Sequence, residues 1–178
     1  MKKQLLFSFV GALVLFFWQF VSWGIENNLH IDQQQYTDKQ EVLLEAIAET
    51  GLEPGMYALG KPAGMTEEDM RYWEETFRGK PWGVLNYQAS FDANMGSNLL
   101  RGFAVDLVIA FLLFSMLAKV NATALSDALF ITVGIGLVAF LVEPYIYHIW
   151  YKTPGMFAHL IDAVVPWSLL GAIWWKMK

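Results

Sequence analysis

No cysteine occurs in the chain, which excludes disulfides, thiolate metal sites and cysteine nucleophiles. Charge is scarce too: Asp, Glu, Lys and Arg make up 16% of the 178 residues against 56% hydrophobic ones, too little polar material for a water-soluble domain of this size. The formal net charge of -5 is a local property, because 13 of the 17 acidic residues lie between Glu26 and Asp92. No basic surface for nucleic acid is indicated. The Walker loop, the dinucleotide fingerprint, the His-Glu-x-x-His helix and the Gly-x-Ser-x-Gly elbow are all missing, and the common nucleotide, zinc-protease and hydrolase chemistries with them.

What the chain has is long apolar runs. The first, Gln4 to Trp23, follows Met1-Lys2-Lys3 and ends in Trp18-Gln19-Phe20-Val21-Ser22-Trp23. A signal peptide has a shorter apolar region and ends in small residues, so this run reads as an anchoring helix with an interfacial tryptophan pair. Three more spans follow, Leu99 to Leu117, Ala124 to about His148, and Phe157 to Trp175, each near the roughly 20 residues that a bilayer core requires. Four spans place both termini on one side. Lys2, Lys3, Lys119, Lys176 and Lys178 fall there, against Lys152 alone in the short turn opposite, so the positive-inside rule makes that side cytoplasmic. Trp150, Tyr151, Trp174 and Trp175 stand at expected interfaces. The expected fold is thus an all-α integral membrane bundle of four transmembrane helices in the cell membrane. It divides into 1–23 as the first helix, 24–98 as an extracytoplasmic segment, and 99–178 as helices two to four.

The 24–98 segment carries its own signals. Thr37-Asp38-Lys39-Gln40 has the pattern of a capping box ahead of Val42, Leu43, Leu44, Ala46, Ile47 and Ala48, with Gly51 as the closing residue. Thr66-Glu67-Glu68-Asp69 opens a second helix with Met70, Trp73 and Phe77 on one stripe and Gly79 at its end. Gly55–Leu59 and Trp82–Tyr87 are β-prone stretches that follow Pro and Gly punctuation. The order is helix, strand, helix, strand, a small α+β insertion. The near-equal spacings Thr37 to Gly51 and Thr66 to Gly79 hint at a duplicated unit, although the residue identities barely match. About 50 ordered residues make a marginal core, so the insertion is expected to lie on the membrane face or on a partner.

Ionisable residues inside the spans are the most informative feature, because each is costly there and tends to face the bundle interior. The second span meets Arg101 and Asp106, the third Glu143 and then His148, and the fourth His159 and Asp162. At 1.5 Å per residue, Asp106, Glu143 and Asp162 fall at one level, roughly 7 to 10 Å below the outer boundary. Gln19 and Ser22 of the first helix lie near it. His159 and Asp162 share a helix face at i,i+3, and Pro144 and Pro166 each free a carbonyl nearby, so a break is expected in both helices.

Two readings follow. In one, Asp106, Glu143, His159 and Asp162 are metal ligands, or a proton relay, open to the extracytoplasmic side, with Arg101 and His148 as charge partners. In the other, the same groups fix helix packing by hydrogen bonds, and Arg101 neutralises part of the acid. A haem between His148 and His159 is disfavoured because the two flank the same turn. Gly134-Ile135-Gly136 suits close helix approach. Asn121-Ala122-Thr123 matches a glycosylation acceptor on the side where that modification does not occur, and Asp127 suits a helix N-terminus.

No cofactor is specified by any motif, and the small size and lack of catalytic signatures point away from an enzyme. The function expected first is a non-enzymatic accessory or assembly subunit that docks a partner membrane protein, or a second copy, through the extracytoplasmic segment. The alternative is a small proton- or divalent-cation-binding transporter. A membrane enzyme that activates water on a metal held by the same residues is a weaker third.

Overall fold

The computed structural model describes residues 2–26 and 28–178; Met1, at the head of the expected first span, lies outside them. The chain is mostly helical, and four of its helical rods are long and apolar enough to cross a membrane: Lys3–Gly24, Met95–Lys119, Leu125–Tyr151 and Met156–Met177. It divides into two compact units, Met1–Gln35 with Ala93–Lys178, and Tyr36–Asp92.

In the helical unit, α1 (Lys2–Gln19) passes into a π-helical turn at Phe20–Gly24. Helix α4 (Met95–Lys119) is capped by Asn94, whose side chain accepts the Ser97 N–H at 3.0 Å. Helix α5 (Leu125–Phe140) continues through a second π-helical turn, Leu141–Tyr145, into α6 (Ile146–Tyr151). Pro144 sits inside that turn, where its missing N–H breaks the regular ladder, and the third span carries the expected break as a π turn. Helix α7 (Met156–Met177) differs from expectation. It runs through the buried Pro166 without interruption, as apolar helices do when neighbouring packing absorbs the lost hydrogen bond.

Helix α1 packs on α4 and α7, and α5 packs on α7. The α5–α7 contact depends on Gly136. A Cβ there would collide with the Ala163 carbonyl oxygen and come within 2.7 Å of the Trp167 ring. The core that joins the four helices holds Phe7, Leu113, Phe114, Leu117, Leu170 and Trp174. Trp174 is buried, edge-on to Phe7 at 5.9 Å and stacked on Phe114 at 5.8 Å, and its indole donates to the Ala122 carbonyl at 3.0 Å. It is therefore a core residue rather than the interfacial residue expected from its position, because the loop carbonyl supplies the partner its N–H needs.

The second unit contains α2 (Gln40–Glu49), β1 (Gly55–Leu59), α3 (Glu67–Phe77) and β2 (Gly83–Tyr87), in the order the turn signals imply. The strands pair antiparallel, with Gly55 opposite Tyr87 and Leu59 opposite Gly83. The capping box of α3 is formed, with Thr66 Oγ1 accepting from Asp69 N at 3.1 Å and Asp69 Oδ2 accepting from Thr66 N at 3.2 Å. That of α2 is not: the helix begins at Gln40 without a side-chain cap, and Thr37 Oγ1 instead accepts from Lys39 N in a local turn. The Trp73 indole donates to the Gly60 carbonyl and fastens α3 to the end of β1.

Candidate functional site

The segment that follows α1 is held by its own side chains. Asn28 Nδ2 donates to the carbonyls of Trp23 at 2.9 Å and Ile25 at 3.0 Å, while its Oδ1 accepts the His30 N–H at 2.8 Å. A single 3-10 turn, Ile31–Gln33, comes next, and Gln33 N–H donates to the His30 carbonyl at 2.9 Å. With three residues per turn, positions i and i+3 eclipse, so His30 and Gln33 project to one side. On α7, His159 and Asp162 are also three apart and share a face. The two pairs meet rung to rung. His30 Nε2 lies 2.7 Å from Asp162 Oδ2, and Gln33 Nε2 lies 2.8 Å from His159 Nε2. Gln33 Nε2 also donates to the Pro154 carbonyl at 2.7 Å, so it is the donor to His159, whose own N–H then sits on Nδ1 in the neutral ring.

The second oxygen of Asp162 is held from α1. Trp18 Nε1 donates to Oδ1 at 2.8 Å and Ser22 Oγ at 2.7 Å. Trp23 lies flat on the His30 ring, 3.6 Å between centroids and 7° from parallel, and His159 meets His30 at 4.6 Å. His30 and Ser22 have no exposed surface. Both π-helical turns border this place: the first carries Ser22 and Trp23, the second Glu143 and Pro144. A cavity of about 180 Å³ is lined by Glu143, Pro144, His159, Asp162 and Trp167 among others, and one of about 390 Å³ by Gln33, Glu143, Tyr147 and His159. One nitrogen from each imidazole and one oxygen of Asp162 lie within 4.8 Å of one another.

Of the residues marked from the sequence, His159 and Asp162 are brought together, and Glu143 shares a cavity with them. Asp106 stands apart: it is fully buried on α4, and its Oδ1 accepts from Gln19 Nε2 at 2.9 Å. Shared depth does not bring it into the cluster, because α4 turns Asp106 toward Gln19 of α1. Arg101 is exposed and pairs with no described carboxylate, so it does not neutralise the cluster; Asp162 is instead hydrogen-bonded by tryptophan, serine and histidine. His148 is spent on the turn after α6, its Nδ1 2.7 Å from the Thr153 carbonyl. Trp18 and Trp23, expected as an interfacial belt, are instead engaged with Asp162 and His30.

His30 and Gln33 carried no mark in the sequence, because they lie past the first span in polar chain without helical or strand periodicity. The available signal was Asn28 two residues before His30, the spacing of an Asx turn that aims a side chain back. No family model, curated protein or solved structure matches the chain. The chemistry of the site therefore rests on its geometry: two imidazoles and a carboxylate converge at the end of a helix bundle, oriented by an indole, a hydroxyl and an amide.

Proposed function

We propose that this chain is a multi-pass protein of the cell membrane with both termini cytoplasmic, and that it serves as a non-enzymatic accessory or assembly subunit whose 24–98 segment docks a partner membrane protein on the extracytoplasmic side. One observation carries the reading: among the described residues, none between Tyr36 and Asp92 is buried. A unit of two helices and a two-stranded sheet that fully buries no side chain lacks the core that offsets chain entropy. It needs a second surface.

The apolar side chains available for that surface are large and grouped. Val42, Leu43 and Leu44 stand exposed on α2, and Leu44, Ile47, Leu85, Tyr87 and Phe91 line a groove of about 550 Å³ within the unit. Charge selects the occupant. The unit has 11 acidic against 5 basic residues, which repels an anionic lipid surface and favours a protein with an apolar centre and a basic rim. The four lysines of the chain termini and Lys119 support the orientation.

The test is a photo-crosslinking residue placed at Leu43 or Phe91 in the full chain in native membranes. A discrete adduct at both positions, lost when Leu44→Asp is added, supports docking. Diffuse or lipid-only adducts that Leu44→Asp leaves unchanged reject it.

A further inference from the structure

We propose that His30, His159 and Asp162 form a binding site for a borderline divalent cation of the zinc class, with Glu143 as the carboxylate at its mouth. The donor set is selective. Two imidazole nitrogens and one carboxylate oxygen suit zinc or its late first-row neighbours, whereas magnesium and calcium sites are built from oxygen. Three protein ligands leave a fourth position open, and Glu143 or water fills it from the 180 Å³ cavity that Glu143, His159 and Asp162 line together.

The distances fit. Ligand atoms around one ion at about 2.0–2.2 Å each can stand about 4 Å apart at most. The three candidate atoms already lie within 4.8 Å of one another, so side-chain adjustments of about 1 Å close the shell. His30 Nε2 and Asp162 Oδ2, at 2.7 Å, share one proton. Cation binding breaks that hydrogen bond and forms nitrogen–metal and oxygen–metal bonds in its place; the neutral imidazole keeps its one proton, which moves to Nδ1 as Nε2 takes the cation. No oxidant or reductant is involved.

The supporting groups are those a metal site requires. Trp18 and Ser22 bind Oδ1 of Asp162 and leave Oδ2 to face His30, which fixes the carboxylate before any ligand arrives. Trp23 fixes the plane of the His30 ring. Gln33 can release His159 Nε2 and keep its bond to the Pro154 carbonyl. Two further observations favour a ligand over mere packing. His30 is fully buried, and its Nδ1 has no hydrogen-bond partner among the described residues, so nothing described competes for the proton that Nδ1 takes up when Nε2 binds a cation. Asp162 and Glu143 form no bond with a Lys or Arg among the described residues, and a divalent ion between them balances both charges.

The experiment uses the full chain without a histidine tag, purified in mild detergent and treated with chelator, then titrated with zinc(II). One equivalent bound per chain supports the site, with affinity 10- to 100-fold weaker in Ser22→Ala and weaker still in His30→Gln. His148→Gln and Asp106→Asn, placed away from the cluster, are expected to bind as the wild type does. Absence of saturable binding, or an equivalent that persists in His30→Gln, overturns the proposal. Should His30→Gln fail to fold, copper(II) bound to the wild-type chain decides the matter by electron paramagnetic resonance. Couplings from two imidazole nitrogens are expected, and coupling from one or none overturns it.

Discussion

Asp162 illustrates how a carboxylate is made tolerable inside an apolar bundle. It takes two neutral donors on one oxygen, an imidazole on the other, and no arginine or lysine among the described residues. Neutral donors leave the negative charge in place while solvating it, whereas a salt bridge would cancel it and close the site. The two donors on Oδ1 act on the same atom, so their loss is expected to be cooperative. Ser22→Ala and Trp18→Phe should each destabilise the bundle by about 1–3 kcal/mol, the range for a hydrogen bond to a charged group. The double variant should cost more than the two together, because Oδ1 then has no donor left. Unfolding of the four proteins by graded denaturing detergent reads the cycle; simple additivity would mean that the two donors do not share the carboxylate.

The same residue shows where sequence reasoning stops. Rise per residue placed Asp106, Glu143 and Asp162 at one level, but level is one coordinate and rotation about the helix axis is another. At 100° per residue, nothing in α4 says that Asp106 turns to Gln19 while Asp162 turns to His30. The i,i+3 pair His159 and Asp162 was legible because it lies on one helix. Its partners His30 and Gln33 were not, since the Asx turn and the 3-10 turn that aim them are made of hydrogen bonds with no hydrophobic period.

Among the elements, the helices that matter for the site are those that depart from α geometry. The π turns at Phe20–Gly24 and Leu141–Tyr145 each insert a residue into a helix end, and each presents site residues, Ser22 with Trp23 and Glu143. Pro144 announced the second turn from the sequence; the first has no proline and could not be anticipated. The α5–α7 pair supports this region from below through small residues. Gly136→Ala drives a methyl group into the Ala163 carbonyl and the Trp167 ring, so it should separate the helices and cost about 1–3 kcal/mol. Gly134, two residues away, faces open space, so Gly134→Ala should be neutral or stabilising by up to about 1 kcal/mol from helix propensity alone. The same denaturing-detergent titration distinguishes the pair, and equal effects would remove the close-approach account of Gly136.

The whole molecule joins an apolar helical unit to an acidic one without buried residues. The spans were legible because bilayer thickness imposes a length that composition reveals, and the strands because Gly and Pro mark their ends. The boundary was less so: Gly24 to Gln35 reads as the start of the polar segment, yet it belongs to the helical unit, since His30 and Gln33 are bonded to α7. The proposed orientation rests on lysine asymmetry, and the absence of cysteine makes it directly measurable, because any single introduced cysteine is the only thiol in the chain. Ser90→Cys, in the acidic unit, and Thr123→Cys, in the exposed turn between α4 and α5, should behave oppositely. In intact cells a membrane-impermeant maleimide is expected to label Ser90→Cys and to spare Thr123→Cys until the membrane is opened. The reverse pattern would place both termini outside, set the acidic unit against the cytoplasm, and turn the mouth of the His30–Asp162 site to the cytoplasmic metal pool.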